Sequence, residues 1–122
     1  MKNIGRTLIA LQLILLAACD PTRPTMAGRR WAASLHEADA RLRKKAAFRL
    51  GNIGESDPEA FLALVEALHD RDPAVRREAI LGILKFGAGA EAARPTLLCL
   101  CQQDKDKNVR ECARQALLKL HK

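Results

Sequence analysis

Three segments of the chain share one pattern, and they are spaced 33 and then 34 residues apart. Each opens with an aspartate (Asp39, Asp72 and Asp106), places an apolar residue and an arginine three and four positions later, and has an alanine three positions after that arginine. A period of this length is typical of stacked helical units, each of which buries its apolar face only against its neighbours. The repeat therefore predicts a solenoid of helix pairs.

Local signals within each copy favour helix. A leading aspartate can accept hydrogen bonds from the free N–H groups of a first helical turn, and Pro73 stands at the first helical position, where its missing N–H costs nothing. Apolar residues then recur every four positions, on one helical face. These predicted core positions are Leu42, Ala46 and Leu50, then Val75, Ala79 and Ile83, then Val109, Ala113 and Leu117. The residues expected to end helices are Gly51, Gly54, Gly87 and Gly89.

Partner helices are predicted between the copies. One begins at Asp57 and continues to Leu68, another runs from about Glu91 to Cys101, and Trp31–His36 leaves room only for a shortened first helix. Apolar residues make up 48% of the chain, enough for a core, whereas only three Phe and one Trp are present. A composition so poor in aromatic residues and rich in Ala and Leu favours helix over sheet. The predicted fold is all-α, with two and a half to three helix pairs over residues 31–122.

The N-terminus carries a separate signal. Lys2 and Arg6 precede an apolar stretch, Thr7–Ala18, which is shorter than the roughly 20 residues of a bilayer-spanning helix and fits the core of a secretory signal. The stretch ends in Leu16, Ala17, Ala18 and Cys19. This tetrapeptide resembles the lipobox of bacterial lipoproteins. The resemblance implies a signal peptide over residues 1–18, cleavage after Ala18, and a lipid on the thiol of Cys19.

A tether is predicted to follow, over residues 19–30, because Pro, Thr and Gly occur there without apolar periodicity. In the lipoproteins of some diderm bacteria, an aspartate such as Asp20 after the lipidated cysteine favours retention in the inner membrane. Loss of Lys2 and Arg6 lowers the formal net charge from +7 to +5, which suits an anionic surface or an acidic partner. Two alternatives stay open: an uncleaved apolar helix, and a chain that starts at Met26 and remains in the cytoplasm.

The repeated segments resemble HEAT repeats, especially the short bacterial form first noted in phycobilin lyases. The family opens its second helix with Asp-Pro-x-Val-Arg, which Asp72-Pro73-Ala74-Val75-Arg76 reproduces, and the likeness spans residues 31–121. The first and third copies lack the proline. The resemblance implies a right-handed stack of antiparallel helix pairs that serves as a protein-binding scaffold.

Charged residues recur with the repeat. We expect an arginine ladder along the stack, in which each arginine pairs with an aspartate of its own or the adjacent copy; its members are Asp39, Arg43, Asp72, Arg76, Asp106 and Arg110. Other basic residues of the second helices form a candidate partner-binding strip, with a merely solvated face as the alternative. The strip consists of Lys44, Lys45, Arg49, Arg77 and Arg114.

Catalytic and metal-binding patterns are not evident. His36-Glu37 is the single His-Glu pair, whereas the di-iron HEAT hydroxylases carry several, so no metal or cofactor is predicted. Cys99 and Cys101 point about 200° apart on a helix, and a disulfide from either to Cys112 stays open alongside free thiols. We therefore expect no enzyme, small-molecule substrate or nucleic acid. The expected function is a lipid-anchored, protein-binding scaffold of the bacterial envelope, with an accessory subunit of a lyase or hydroxylase as the alternative.

Overall fold

A computed structural model describes residues 24–121 of the chain. The predicted signal peptide (1–18), its Leu16–Cys19 motif and the first part of the predicted tether lie outside the described residues. Six α-helices fill the described range: α1 (Met26–Ser34), α2 (Ala40–Ile53), α3 (Pro58–Ala67), α4 (Pro73–Leu84), α5 (Arg94–Gln103) and α6 (Lys107–Leu120). Two 3₁₀ helices, Gly54–Ser56 and Gly87–Ala93, link α2 to α3 and α4 to α5. Between residues 24 and 121 there is no strand, so the all-α prediction is confirmed.

The helices pack as three successive pairs, α1 with α2, α3 with α4, and α5 with α6. The second helix of each pair forms an inner layer, in which α4 packs against both α2 and α6. The first helices form the outer layer. This arrangement is the predicted solenoid of helix pairs. Among the helices that the structure describes, none is long and apolar enough to cross a bilayer.

The aspartates that open the repeats cap the inner helices, as predicted. Asp39 accepts from the backbone N–H of Arg41, Asp72 from Ala74, and Asp106 from Asn108 and Val109. Each carboxylate thereby satisfies helix-end donors that have no partner within the helix.

The tether prediction is wrong for residues 26–30, which form the first turns of α1. The hydroxyl of Thr25 caps this helix by accepting from the N–H of Gly28 at 2.9 Å. Thr25 is itself held by the fully buried carboxylate of Asp57, which accepts from its backbone N–H at 2.8 Å and from its hydroxyl at 2.7 Å. We call this contact the Thr25–Asp57 latch. It joins residues 32 positions apart, which local composition does not reveal.

The apolar face predicted for the inner helices is buried in the middle of the stack, but its first residue at the N-terminal end is exposed. Val75 and Val109 are fully buried, but Leu42, their counterpart in the first copy, is 47% exposed. Ala46 and Leu50, which share this face of α2, are fully buried, so within the first copy the prediction is wrong for Leu42 alone.

Gly51 does not end a helix, contrary to expectation; it lies inside α2, against Gly82 of α4. A Cβ added at Gly51 would stand 2.6 Å from the Cα of Gly82, so the two glycines allow the inner helices to touch backbone to backbone. Gly54 does terminate α2, with φ of 72°.

Replacing Gly51 by Ala should lower the free energy of unfolding by about 1 to 2 kcal/mol, because overpacking costs more than the helix propensity that alanine adds. Urea denaturation measures the change. The matched control is Gly89→Ala, whose Cβ would meet only ordinary van der Waals contact. A Gly51→Ala variant as stable as the wild type would contradict the close approach of α2 and α4.

Candidate functional site

The first rung of the arginine ladder joins Arg43 to Asp70 in the next repeat. The guanidinium donates from Nε at 2.8 Å and from Nη2 at 3.1 Å to the two carboxylate oxygens. Its third nitrogen donates to the backbone carbonyls of Glu37 and Ala38. Arg43 is only 4% exposed, so this charge is neutralised inside the fold and is not available to a ligand.

The second rung repeats this geometry. Arg76 donates from Nε and Nη2 to Asp104, both at 2.8 Å, and from Nη1 to the carbonyl of Asp70. Burial works to raise the pKa of the Asp70 and Asp104 carboxyls, but the hydrogen bonds from the arginines and from the backbone outweigh it, and both pKa values lie below the ordinary 3.8. Both carboxylates therefore stay charged at neutral pH.

The predicted acidic partners of the ladder are wrong. Asp39, Asp72 and Asp106 cap helices and form no ion pair with the ladder arginines. The partners stand two residues before the second and third caps, in Asp70-Arg71-Asp72 and Asp104-Lys105-Asp106. Each partner also accepts from the N–H of the capping aspartate. This Asp-x-Asp spacing was visible in the sequence and would have identified them.

The ladder ends at the third copy. Arg110 occupies the position of Arg43 and Arg76, but within residues 24–121 it donates only to the carbonyls of Asp104 and Lys105. No further repeat follows in the described part to supply a carboxylate. Between residues 24 and 121 the ladder thus has two rungs, each of which joins neighbouring repeats.

Two residues of the predicted binding strip, Lys44 of α2 and Arg77 of α4, share a repeat position on the inner layer, whereas Lys45 stands one turn before Arg49. Lys44 and Lys45 of α2 and Arg77 of α4 are exposed. No carboxylate of residues 24–121 comes within ion-pairing distance of them. Their charges face solvent.

Arg49 and Arg114 stand apart from this group. Arg114 occupies the repeat position of Ala47 and Ile80, which are fully buried. It therefore lies on the C-terminal end of the stack, where it pairs with Glu111 at 2.7 Å. Hydrogen bonds from Arg114 and Gln115 lower the pKa of the Glu111 carboxyl to about 2. At the other end, the guanidinium of Arg49 lies 5.8 Å from the centre of the Trp31 ring.

Sequence reasoning missed three residues of the inner surface. Phe48 and Leu81 stand one turn after Lys44 and Arg77, and they are 45% and 43% exposed. Lys85 lies with its Nζ 5.1 Å from the centre of the Phe48 ring and 2.6 Å from the side-chain oxygen of Asn52. Phe48 and Leu81 lie on the same helices as the core residues and differ from them only in the side of the helix that they occupy. Aligning the repeats could therefore have identified them. The inner-face patch consists of Lys44, Phe48, Arg77, Leu81 and Lys85.

The cysteines and histidines form no cluster in the part of the chain that the structure covers. Cys99, Cys101 and Cys112 are free thiols, and burial raises the pKa of the Cys112 thiol above its ordinary value. Between residues 24 and 121 no group of three or more His, Cys, Asp or Glu side chains could hold a metal ion.

Stacked helix pairs, capped inner helices and an arginine ladder between repeats define an α-solenoid. The family model for HEAT repeats matches residues 29–118, which is well over half of the chain. The protein therefore belongs to the HEAT-repeat family, whose helical scaffolds commonly mediate protein interaction. A comparison with curated proteins gave no match.

Proposed function

We propose that the protein is a non-enzymatic scaffold that binds another protein and is held at a bacterial membrane by a lipid on Cys19. The observation that carries the binding role is the inner-face patch. Phe48 and Leu81 are large apolar side chains left nearly half exposed, and cations without carboxylate partners surround them. Apolar residues rimmed by polar ones are typical of protein interaction sites.

The membrane role is supported by the N-terminal sequence. Two cations, an apolar stretch and Leu16-Ala17-Ala18-Cys19 occur in the order and spacing of a lipoprotein signal. Thr25, which the latch holds, stands six residues after Cys19, so the chain between them would span at most about 20 Å. The scaffold would then work close to the lipid surface on the outer side of the inner membrane, as Asp20 favours.

Lipid attachment is tested by growing cells with an alkyne-tagged fatty acid and purifying the protein. The wild type should carry the label and have a mature N-terminus at Cys19, whereas Cys19→Ala should carry none, because the thiol is the acceptor. Cys99→Ala is the matched control and should remain labelled. A mature chain that starts at Met26, or label that persists without Cys19, would exclude the anchor.

Protein binding is tested with a photo-crosslinking amino acid placed in living cells. Replacement of Leu81 should give a discrete crosslinked product, since this side chain lies in the inner-face patch. Replacement of Gln102, which is exposed on α5 of the outer layer, is the control and should not give it. Equal products from both positions, or none from position 81, would argue against a binding surface on the inner layer.

A further inference from the structure

We infer that the inner-face patch binds an acidic segment of the partner, one that carries a large apolar side chain next to its carboxylates. This inference rests on the proposed protein-binding function and adds the chemistry of the partner. The patch offers two kinds of contact at once: cations that lack carboxylate partners, and apolar surface between them.

The repeat register sets the spacing of these contacts. Lys44 and Arg77 occupy the same repeat position on the neighbouring helices α2 and α4, with Phe48 and Leu81 one turn further along. Because these helices touch at their glycines, their axes lie at the close end of the usual 8–10 Å range. An extended peptide advances about 3.3 Å per residue, so carboxylates two or three residues apart could reach both cations.

The patch carries positive charge that no neighbouring carboxylate of residues 24–121 neutralises. Lys44 and Arg77 have no carboxylate within ion-pairing distance in residues 24–121. Lys85 has only the neutral groups of Phe48 and Asn52 as partners. In the third copy Glu111 and Gln115 replace Arg77 and Leu81, so the patch ends at α4 and its footprint covers two helices.

An anionic lipid could also supply negative charge, but the position of the latch favours a protein segment. The described chain starts beside Thr25, which is bonded to Asp57 immediately before α3 of the outer layer. The patch lies on the inner layer. If Cys19 is lipidated, a tether of at most about 20 Å would hold the start of α1, an outer-layer helix, beside the membrane, which favours a protein segment over a lipid as the occupant of the patch.

A library of random peptides of about eight residues, long enough to cross both helices, is screened for binding to the full-length protein in nonionic detergent. The enriched peptides should combine Asp or Glu with a large apolar residue. Fluorescence anisotropy then gives the affinity of the best-enriched peptide. Replacing Lys44 and Arg77 by Gln should weaken it about tenfold, since two ion pairs are lost, and Leu81→Ser should also weaken it. Lys107→Gln, an exposed cation outside the patch, should have no effect.

Several results would contradict the inference that the partner segment is acidic. They are a neutral or basic consensus, no enrichment, equal affinity for the Lys44/Arg77 double variant, and displacement of the peptide by soluble dioctanoylphosphatidylglycerol more readily than by a second acidic peptide. A neutral or basic consensus sensitive to Leu81→Ser would leave the scaffold function intact and reject only the acidic chemistry. Failure of both the selection and the Leu81 photo-crosslink would reject the scaffold function itself.

Discussion

Replacing Asp57 by Ala should lower the free energy of unfolding by about 3 kcal/mol. The carboxylate is fully buried and accepts hydrogen bonds from four donors. Two belong to Thr25 and two are the N–H groups of Glu59 and Ala60 at the start of α3. Alanine leaves these donors with no acceptor, which costs more than the loss of an exposed helix cap. Urea denaturation measures the change.

Two further variants separate the roles of Asp57. Asp39→Ala removes an exposed cap that satisfies one backbone N–H and should cost only about 1 kcal/mol. Asp57→Asn keeps an oxygen to cap α3 but turns an N–H₂ group toward the N–H of Thr25, so it should release α1 selectively. Proteolysis between residues 26 and 34 should then increase while the unfolding midpoint falls less than in Asp57→Ala. Equal losses for Asp57→Ala and Asp39→Ala would show that the latch adds nothing.

Lowering the pH should also weaken the Thr25–Asp57 latch. Burial works to raise the pKa of the Asp57 carboxyl, but hydrogen bonds from Thr25, Ala60 and Glu59 bring it below its ordinary value of 3.8. A lowered folded-state pKa contributes stability that is complete above the unfolded-state value and is lost as pH falls toward the folded-state value. The melting temperature should therefore be nearly flat above pH 5 and fall below about pH 4. The fall should be shallower in Asp57→Asn.

Local signals were sufficient to predict most of the fold. The capping aspartates and the four-residue apolar spacing mark α4 and α6, since both signals act within one helix. The start of α1 was mispredicted because the latch that stabilises it joins residues far apart in sequence. Gly51 was mistaken for a helix end because the residue that requires a glycine there, Gly82 in the backbone of α4, is likewise distant in the chain.

The candidate site could be predicted only in part, and the reason is related. Lys44 and Arg77 lie where their helical phase places them, whereas Lys45 shares the phase of Arg49. Arg49 and Arg114 have the right chemistry but stand at the two ends of the described stack, where no neighbouring repeat within residues 24–121 covers them. An end repeat of a solenoid needs a polar outer face, and at the end of the described stack the Arg114–Glu111 pair provides one. Position within the array, as well as helical phase, decides what a repeat residue does.

Loss of the carboxylates of both ladder rungs should cost more stability than the loss of Asp57 alone. Asp104→Ala leaves Arg76, whose side chain is 14% exposed, without its bidentate partner. The expected cost is about 2 kcal/mol, between the values for exposed and for fully buried ion pairs. Combining it with Asp70→Ala should cost about 4 kcal/mol, since the rungs are separate pairs, and this is a large part of the stability of a small domain. Urea denaturation of the two single variants and the double variant measures both values.

Two controls decide whether this loss comes from an unpaired charge. Glu91→Ala removes an exposed pair with Arg94 and should barely move the unfolding transition. Replacing both members of the second rung, Arg76→Met with Asp104→Leu, should recover much of the loss, because no buried charge is then left alone. If that double replacement is as unstable as Asp104→Ala, the rung stabilises through its geometry, including the bond from Arg76 to the carbonyl of Asp70. If Asp104→Ala costs no more than Glu91→Ala, the ladder does not hold the repeats together, and their register must come from the apolar contacts between α2, α4 and α6.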